Sequence, residues 1–121
     1  MSLSLFDDSQ KFDLALLINV VSTMPIAAER LHVLEALNEK LNDSKFLLWY
    51  AQKGRLAAVY NKRKAECKTY EDVIWLGEGR HFQTVYKYFT PEEMTALAHK
   101  AGFIPFDRFR PLRNDALLFR K

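Results

Sequence analysis

Two kinds of hydrophobic pattern alternate along this chain. Phe12-Asp-Leu-Ala-Leu-Leu-Ile-Asn-Val-Val21 is a nearly continuous apolar run, which suits a strand buried on both faces of a parallel sheet. Ser22-Thr-Met-Pro25 interrupts it. From Ala27 to Asn42 the apolar residues Leu31, Leu34, Leu37 and Leu41 recur at steps of three and four. Glu29, Arg30, Glu35, Glu39 and Lys40 fall mostly on the other, wet side, which predicts an amphipathic helix. Asn42-Asp-Ser44 closes that helix, and Lys45-Phe-Leu-Leu-Trp-Tyr-Ala51 predicts a second buried strand. Strand, helix and strand with short connections make a βαβ unit, whose crossover should be right-handed.

The pattern weakens after Ala51. Residues 52–89 contain good helix formers around Leu56 to Lys68, then an aromatic stretch through Trp75, Phe82, Tyr86, Tyr88 and Phe89. This reads as an insertion with one or two helices, with Gly77-Glu-Gly79 as a turn inside it. Periodicity returns at Thr90-Pro-Glu-Glu-Met. Thr90 is placed as N-cap, Pro91 at the first helical position and Glu93 as the reciprocal member of a capping box. Met94, Leu97, Ala98 and Ala101 form the buried stripe, Gly102 ends the helix, and Phe103 supplies the apolar contact beyond it. Two short strands, 104–110 and 115–120, follow as an antiparallel hairpin turning at Pro111 and Arg113-Asn114.

Composition is that of one folded domain spanning residues 1–121. Hydrophobic residues are 49% and charged residues 27% of the 121, which excludes a disordered chain. No apolar run approaches the length of a membrane span, and Met1-Ser-Leu-Ser-Leu-Phe has no basic region of the kind that opens a signal peptide. The single cysteine, Cys67, has no internal disulfide partner. A cytoplasmic protein is therefore expected. No His, Cys, Asp or Glu group has metal-ligand spacing, so no metal is expected. Net charge is +3, too mild to imply nucleic acid by itself. Between Lys53 and Lys68, however, six basic residues stand against one acid. A second basic cluster comprises Arg108, Arg110, Arg113, Arg120 and Lys121. The Lys53–Lys68 segment could contact phosphate, or could be a solvated face.

Three of these segments, in this order, resemble the class I, Rossmann-like S-adenosylmethionine-dependent methyltransferases. Phe12-Asp-Leu-Ala-Leu-Leu-Ile-Asn-Val-Val-Ser-Thr-Met-Pro25 is similar to the family's fourth strand and its exit, F-D-L-V-x-x-x-x-V-L-x-x-x-P. Leu37-Asn-Glu-Lys-Leu-Asn-Asp-Ser-Lys-Phe-Leu-Leu48 is similar to the lead into its fifth strand, with Asn42-Asp-Ser44 replacing the usual Pro-Gly-Gly. Tyr88-Phe-Thr-Pro-Glu-Glu-Met-Thr-Ala-Leu-Ala-His-Lys-Ala-Gly-Phe103 resembles F-T-x-E-E-L-x-x-L-L-x-x-A-G-F, the helix before the last two strands. The resemblance implies an α/β fold: a partial methyltransferase sheet of strands equivalent to 4-5-7-6, the last antiparallel, with flanking helices and the helical insertion.

The same resemblance implies S-adenosylmethionine as cofactor, yet most of that site is missing. The family holds the cofactor on a glycine-rich turn, E/D-x-G-x-G-x-G, where backbone must approach the ligand closely. The four glycines here are Gly54, Gly77, Gly79 and Gly102, and none follows a predicted strand in such a turn. What is present is the rim at the carboxyl ends of the strands, where open α/β sheets bind ligands. By resemblance, Asn19 and Val20 line the methionine end of the cofactor pocket, while Ser22 and Met24 face the acceptor; Tyr50, ending the second strand on the same rim, either stacks on a flat acceptor or belongs to the core. Asn19 and Met24 equally suit a strand cap and a core residue; Trp49 suits the core. His81, beside Glu78 and Arg80, is a weak catalytic candidate as a base near neutral pH. Asp13, at the far end of its strand, reads as structural.

Two functions follow as expectations. One is part of an enzyme that transfers a methyl group to an unidentified acceptor, inactive as this chain alone. The other is a non-catalytic split or degenerate half acting by self-association or nucleic-acid binding. In both, the strand from Phe12 to Val21 has an unpaired outer edge, which invites a homodimer or a partner chain.

Overall fold

The computed structural model describes residues 9–51, 67–70, 73–78, 81–87, 89–109 and 115–121. The strands β1 (Phe12–Ile18), β2 (Leu41–Ala51), β6 (Ile104–Phe109) and β7 (Asp115–Arg120) form one sheet in the order β1-β2-β7-β6. β1 and β2 are parallel. β7 runs antiparallel to both β2 and β6. This is the expected order 4-5-7-6, with the last strand of the chain inserted antiparallel inside the sheet.

Helices α1 (Ala27–Lys40) and α2 (Pro91–Lys100) supply the core's second layer. Strand alternation turns Ala15 and Leu17 of β1, Leu47 and Trp49 of β2, and Leu117 and Phe119 of β7 toward these helices. They meet Val33 and Leu34 of α1 and Met94 and Ala98 of α2 in a single cluster. Trp49, Phe103, Phe119, Leu34, Leu41, Leu47, Met94 and Val21 are its largest fully buried side chains. Each such burial is worth about 1.5–3 kcal/mol, so this one interface carries most of the stability of the described fold. The other sheet face has no helix among the described residues. There Leu14, Leu16 and Ile18 remain 54, 56 and 51% exposed.

α2 ends as its sequence dictates. Thr90 Oγ1 accepts from the Glu93 amide at 3.1 Å, and Glu93 Oε1 accepts from the Thr90 amide at 3.4 Å, closing the capping box. At the other end Phe103 N–H donates to Ala98 at 3.0 Å and Gly102 N–H to His99 at 3.0 Å. This Schellman arrangement needs φ +97° at Gly102, a conformation that glycine adopts without a Cβ penalty.

Four expectations are corrected. The first strand stops at Ile18 rather than Val21, because Asn19 takes φ +56° and Val21–Thr23 coil into a 3-10 turn. Asn42-Asp-Ser44 does not separate helix from strand: β2 starts at Leu41. The polar triplet is accommodated as a bulge, with Phe12 opposite Leu41 but Leu14 opposite Phe46, and Ser44 at φ +64°. Arg30 is not on the wet side but only 2% exposed.

The fourth correction concerns the helical insertion. Its described part is three antiparallel strands, β3 (Cys67–Tyr70), β4 (Val73–Glu78) and β5 (His81–Lys87), forming a sheet of their own. The residues responsible are β-branched and aromatic: Thr69, Val73, Ile74, Trp75, Phe82, Thr84, Val85 and Tyr86, types that favour a pleated surface. Residues 52–66, where the helix formers lie, are outside the described residues.

Candidate functional site

β1 and β2 run side by side and end together, so their carboxyl ends make one rim. Ile18 pairs with Tyr50, and beyond it the Asn19 amide donates to the Tyr50 carbonyl at 3.1 Å. The left-handed turn at Asn19 then sends the chain across the rim. Asparagine tolerates that conformation better than most residues. Val20 accepts twice from Thr23, through Oγ1 at 2.8 Å and N–H at 3.2 Å, which winds the 3-10 turn. Val21 and Ser22 are buried beneath it, and Met24 packs against the core. β5 lies against this turn. The three-stranded sheet is thus joined to the rim at the place where Ser22 sits.

Five of the residues singled out from the sequence therefore gather here: Asn19 and Tyr50 through a direct backbone bond, and Val20, Ser22 and Met24 along the turn. Asn19, Val20, Met24 and Tyr50 are half-buried, and Val20 and Met24 pack against the core. Trp49, one residue before Tyr50, points the opposite way. It is fully buried, edge-on to Phe89 at 5.2 Å. His81 opens β5 opposite Glu78; its side chain and Arg80 lie outside the described residues. The basic run from Lys53 likewise lies outside them, apart from Lys68 in β3.

A second group of polar residues was not anticipated. Lys87, at the end of β5, is buried and forms an ion pair with Glu93. Its Nζ lies 5.2 Å above the Phe89 ring, and the Arg30 guanidinium lies 5.9 Å from the same ring. Arg30 also donates to the Pro25 carbonyl at 3.4 Å. Burial by itself would raise the Glu93 carboxyl. The hydrogen bond and charge of Lys87, together with the bonds from Thr90, outweigh it and hold Glu93 below the ordinary glutamate value. One carboxylate thus caps α2 and clasps the end of β5. The sequence marked Glu93 as a cap, but a lysine six residues upstream in an aromatic stretch gave no sign of pairing with it.

No protein-family model matches the chain, and no curated protein matches it either. Solved structures do. An S-adenosylmethionine-dependent methyltransferase from Methanosarcina mazei superposes with TM-score 0.73 at 17% identity, over 99% of this chain and 63% of that one. A second such methyltransferase, from Clostridium acetobutylicum, gives 0.65 at 8%, over 99% and 62%. The 1,6-didemethyltoxoflavin-N1-methyltransferase of Burkholderia thailandensis, solved with 1,6-didemethyltoxoflavin and S-adenosylhomocysteine bound, gives 0.71 at 18%, over 100% and 48%.

The fold is that of part of a class I S-adenosylmethionine-dependent methyltransferase. The chain spans less than two-thirds of the length of each of these three structures. Gly77 lies in β4 opposite Phe82 of β5 and Gly102 follows α2, and the 121-residue sequence contains no E/D-x-G-x-G-x-G motif. Among the described residues, no group of three His, Cys, Asp or Glu side chains could hold a metal, and no helix is long and apolar enough to cross a membrane.

Proposed function

We propose that this chain is the acceptor-side half of an S-adenosylmethionine-dependent methyltransferase. The observation that carries the reading is the shared rim of β1 and β2, on a sheet of this order, with a separate antiparallel sheet lying against it. In methyl transfer the protein's main task is to hold the acceptor in line with the methyl group and to keep water out. Tyr50 is assigned to the acceptor side, where an aromatic ring offers an apolar seat for a flat acceptor; Ser22, which is buried, and Met24, which packs against the core, support the turn beside it. Asn19 and Val20 are assigned to the methionine end of the cofactor. His81, at the start of β5, is the residue we would test as the base that takes the acceptor's proton. The cytoplasm is the expected compartment.

Calorimetric titration of S-adenosylhomocysteine into this chain, and into any longer native version of it, tests the reading. Binding by the longer version with none by the 121 residues is the expected result. Absence of binding by both would remove the methyltransferase assignment.

A further inference from the structure

We infer that a cleft between α1 and α2, at the end of β5, binds a small phosphate-class oxyanion, either the free ion or the phosphoryl group of a small molecule. The inference is independent of the methyltransferase reading. The cleft has a volume of about 230 Å³. That is room for several waters at about 30 Å³ each, or for one phosphate with part of its hydration. It is smaller than the roughly 300–1,000 Å³ of pockets that enclose drug-sized ligands.

Among the described residues its lining carries three cations and one carboxylate, Arg30, Lys87 and Lys100 against Glu93. Two of the cations are deeply placed, Arg30 at 2% and Lys87 at 8% exposure. Burying a cation is costly unless anions or hydrogen bonds answer it. Glu93 answers Lys87, and both buried cations share the Phe89 ring. Glu93 is no obstacle to an anion, because its charge is already held. Its Oε2 accepts from Lys87, and its Oε1 accepts from the Thr90 amide and hydroxyl. An ammonium has three donors and a guanidinium five, so Lys87 and Arg30 can serve an anion besides the partners they have. Arg30 Nη2 donates to the Pro25 carbonyl at 3.4 Å, a long bond, and its buried Nε makes no hydrogen bond.

The start of α1 adds to the same field. Ala27, its first residue, lines the cleft. The N-cap is Ile26, which brings no side-chain oxygen to the positive end of the helix dipole, the end that favours anions. Glu29, the acid of that first turn, is exposed and is not part of the lining. Ala27 and Ala96, both short and exposed, stand at the mouth. Cationic groups thus come to one small cleft from two helices and a strand. That suits a tetrahedral oxyanion, with acceptor oxygens on every side, better than a planar carboxylate.

Titration of inorganic phosphate into the isotope-labelled 121-residue chain at constant ionic strength, followed by amide chemical shifts, tests this. The expected result is saturable shifts at Ala27, Phe89 and Ala96, with a Kd of about 1 mM or below. Ala96→Glu sets a carboxylate at the mouth and should weaken binding about tenfold or more through short-range repulsion. Lys100→Gln removes an exposed, screened charge and should weaken it only about two- to fivefold. Positions 96 and 100 are exposed, so circular dichroism should show both variants folded. Glycerol phosphate and acetate make the other arms. Tighter binding of glycerol phosphate than of inorganic phosphate assigns the cleft to a phosphoryl group on a small molecule, and the reverse assigns it to the free ion. Shifts that do not saturate by about 10 mM phosphate, acetate bound as tightly as phosphate, or undiminished binding by Ala96→Glu would each overturn the proposal.

Discussion

The sheet has two faces built from the same kinds of residue, and they differ in what lies on them. Leu17, Leu47, Trp49 and Phe119 are buried under α1 and α2, whereas Leu14, Leu16 and Ile18, one residue out of phase, face away from every described helix. Apolar content alone therefore does not tell a packed face from an unpacked one. A continuous apolar run such as that beginning at Phe12 is the signature of a strand meant to be covered on both sides. In the described residues one side is covered and the other is not.

The largest effect that could break this comparison is a pair of truncations in urea denaturation. Trp49→Ala should cost about 3–5 kcal/mol, the range for deleting a large buried aromatic. Leu16→Ala should cost less than about 1 kcal/mol, as for a side chain that leaves no cavity. Equal costs would show that the second face is packed in the isolated chain, by a second copy or by residues outside those described. Loss at position 16 that grows with protein concentration would identify the copy.

Next come the devices that fix α2 over its face. Gly102→Ala must place a Cβ at φ +97°, 3.3 Å from Asn38 Nδ2 on α1, and should cost about 1–2 kcal/mol in the same assay. Thr90→Ala removes one half of the capping box and should cost about 1 kcal/mol. Glu93→Gln adds a pH dependence. Because the folded-state value of Glu93 lies below its unfolded one, its contribution is complete above the ordinary glutamate range. It disappears as pH falls through the depressed value. The stability gap between wild type and Glu93→Gln should accordingly be constant near neutrality and narrow below about pH 4. A gap that persists unchanged to about pH 3 would mean that the Lys87 pair is not what stabilises this end of α2.

The two faces also explain what could be read from the sequence. The βαβ unit and both ends of α2 were legible because each depends on local pattern: an unbroken apolar run, a three- and four-residue stripe, a Thr-Pro-Glu-Glu start and a Gly-Phe stop; the order of the main strands came only with the family resemblance. The three strands between 67 and 87 were missed because their aromatic and β-branched residues do not alternate cleanly with polar ones. Their spacing suggested neither period, and residue type was the better guide. Arg30 was misplaced because a helical stripe assigns a charged residue to the wet side, whereas Phe89, 59 residues away in sequence, closes over it. Of the candidate site, the rim position of Asn19 and Tyr50 was readable from where the strands had to end. The Lys87–Glu93 clasp was not, since it depends on how β5 is led back to α2.

The smallest effect concerns the start of the uncovered strand. Asp13 was read as structural, and its Oδ1 accepts from Asn42 Nδ2 at 3.0 Å across the bulge that opens β2. This bond clips the first turn of β1 to the sheet where the register shifts between Phe12 and Leu14. Both groups are exposed, so water replaces the bond readily, and Asn42→Ala should cost at most about 0.5 kcal/mol. Its value lies in where the loss would show. Amide exchange should quicken in β1 near Asp13 and stay unchanged in β6 and β7, because the two edges share no contact through this bond. Faster exchange across the whole sheet would mean that the bulge, rather than the helices on the covered face, sets the register of β1 on β2. In that case β1 would be held by its edge contacts alone, and a single packed face would no longer account for its stability.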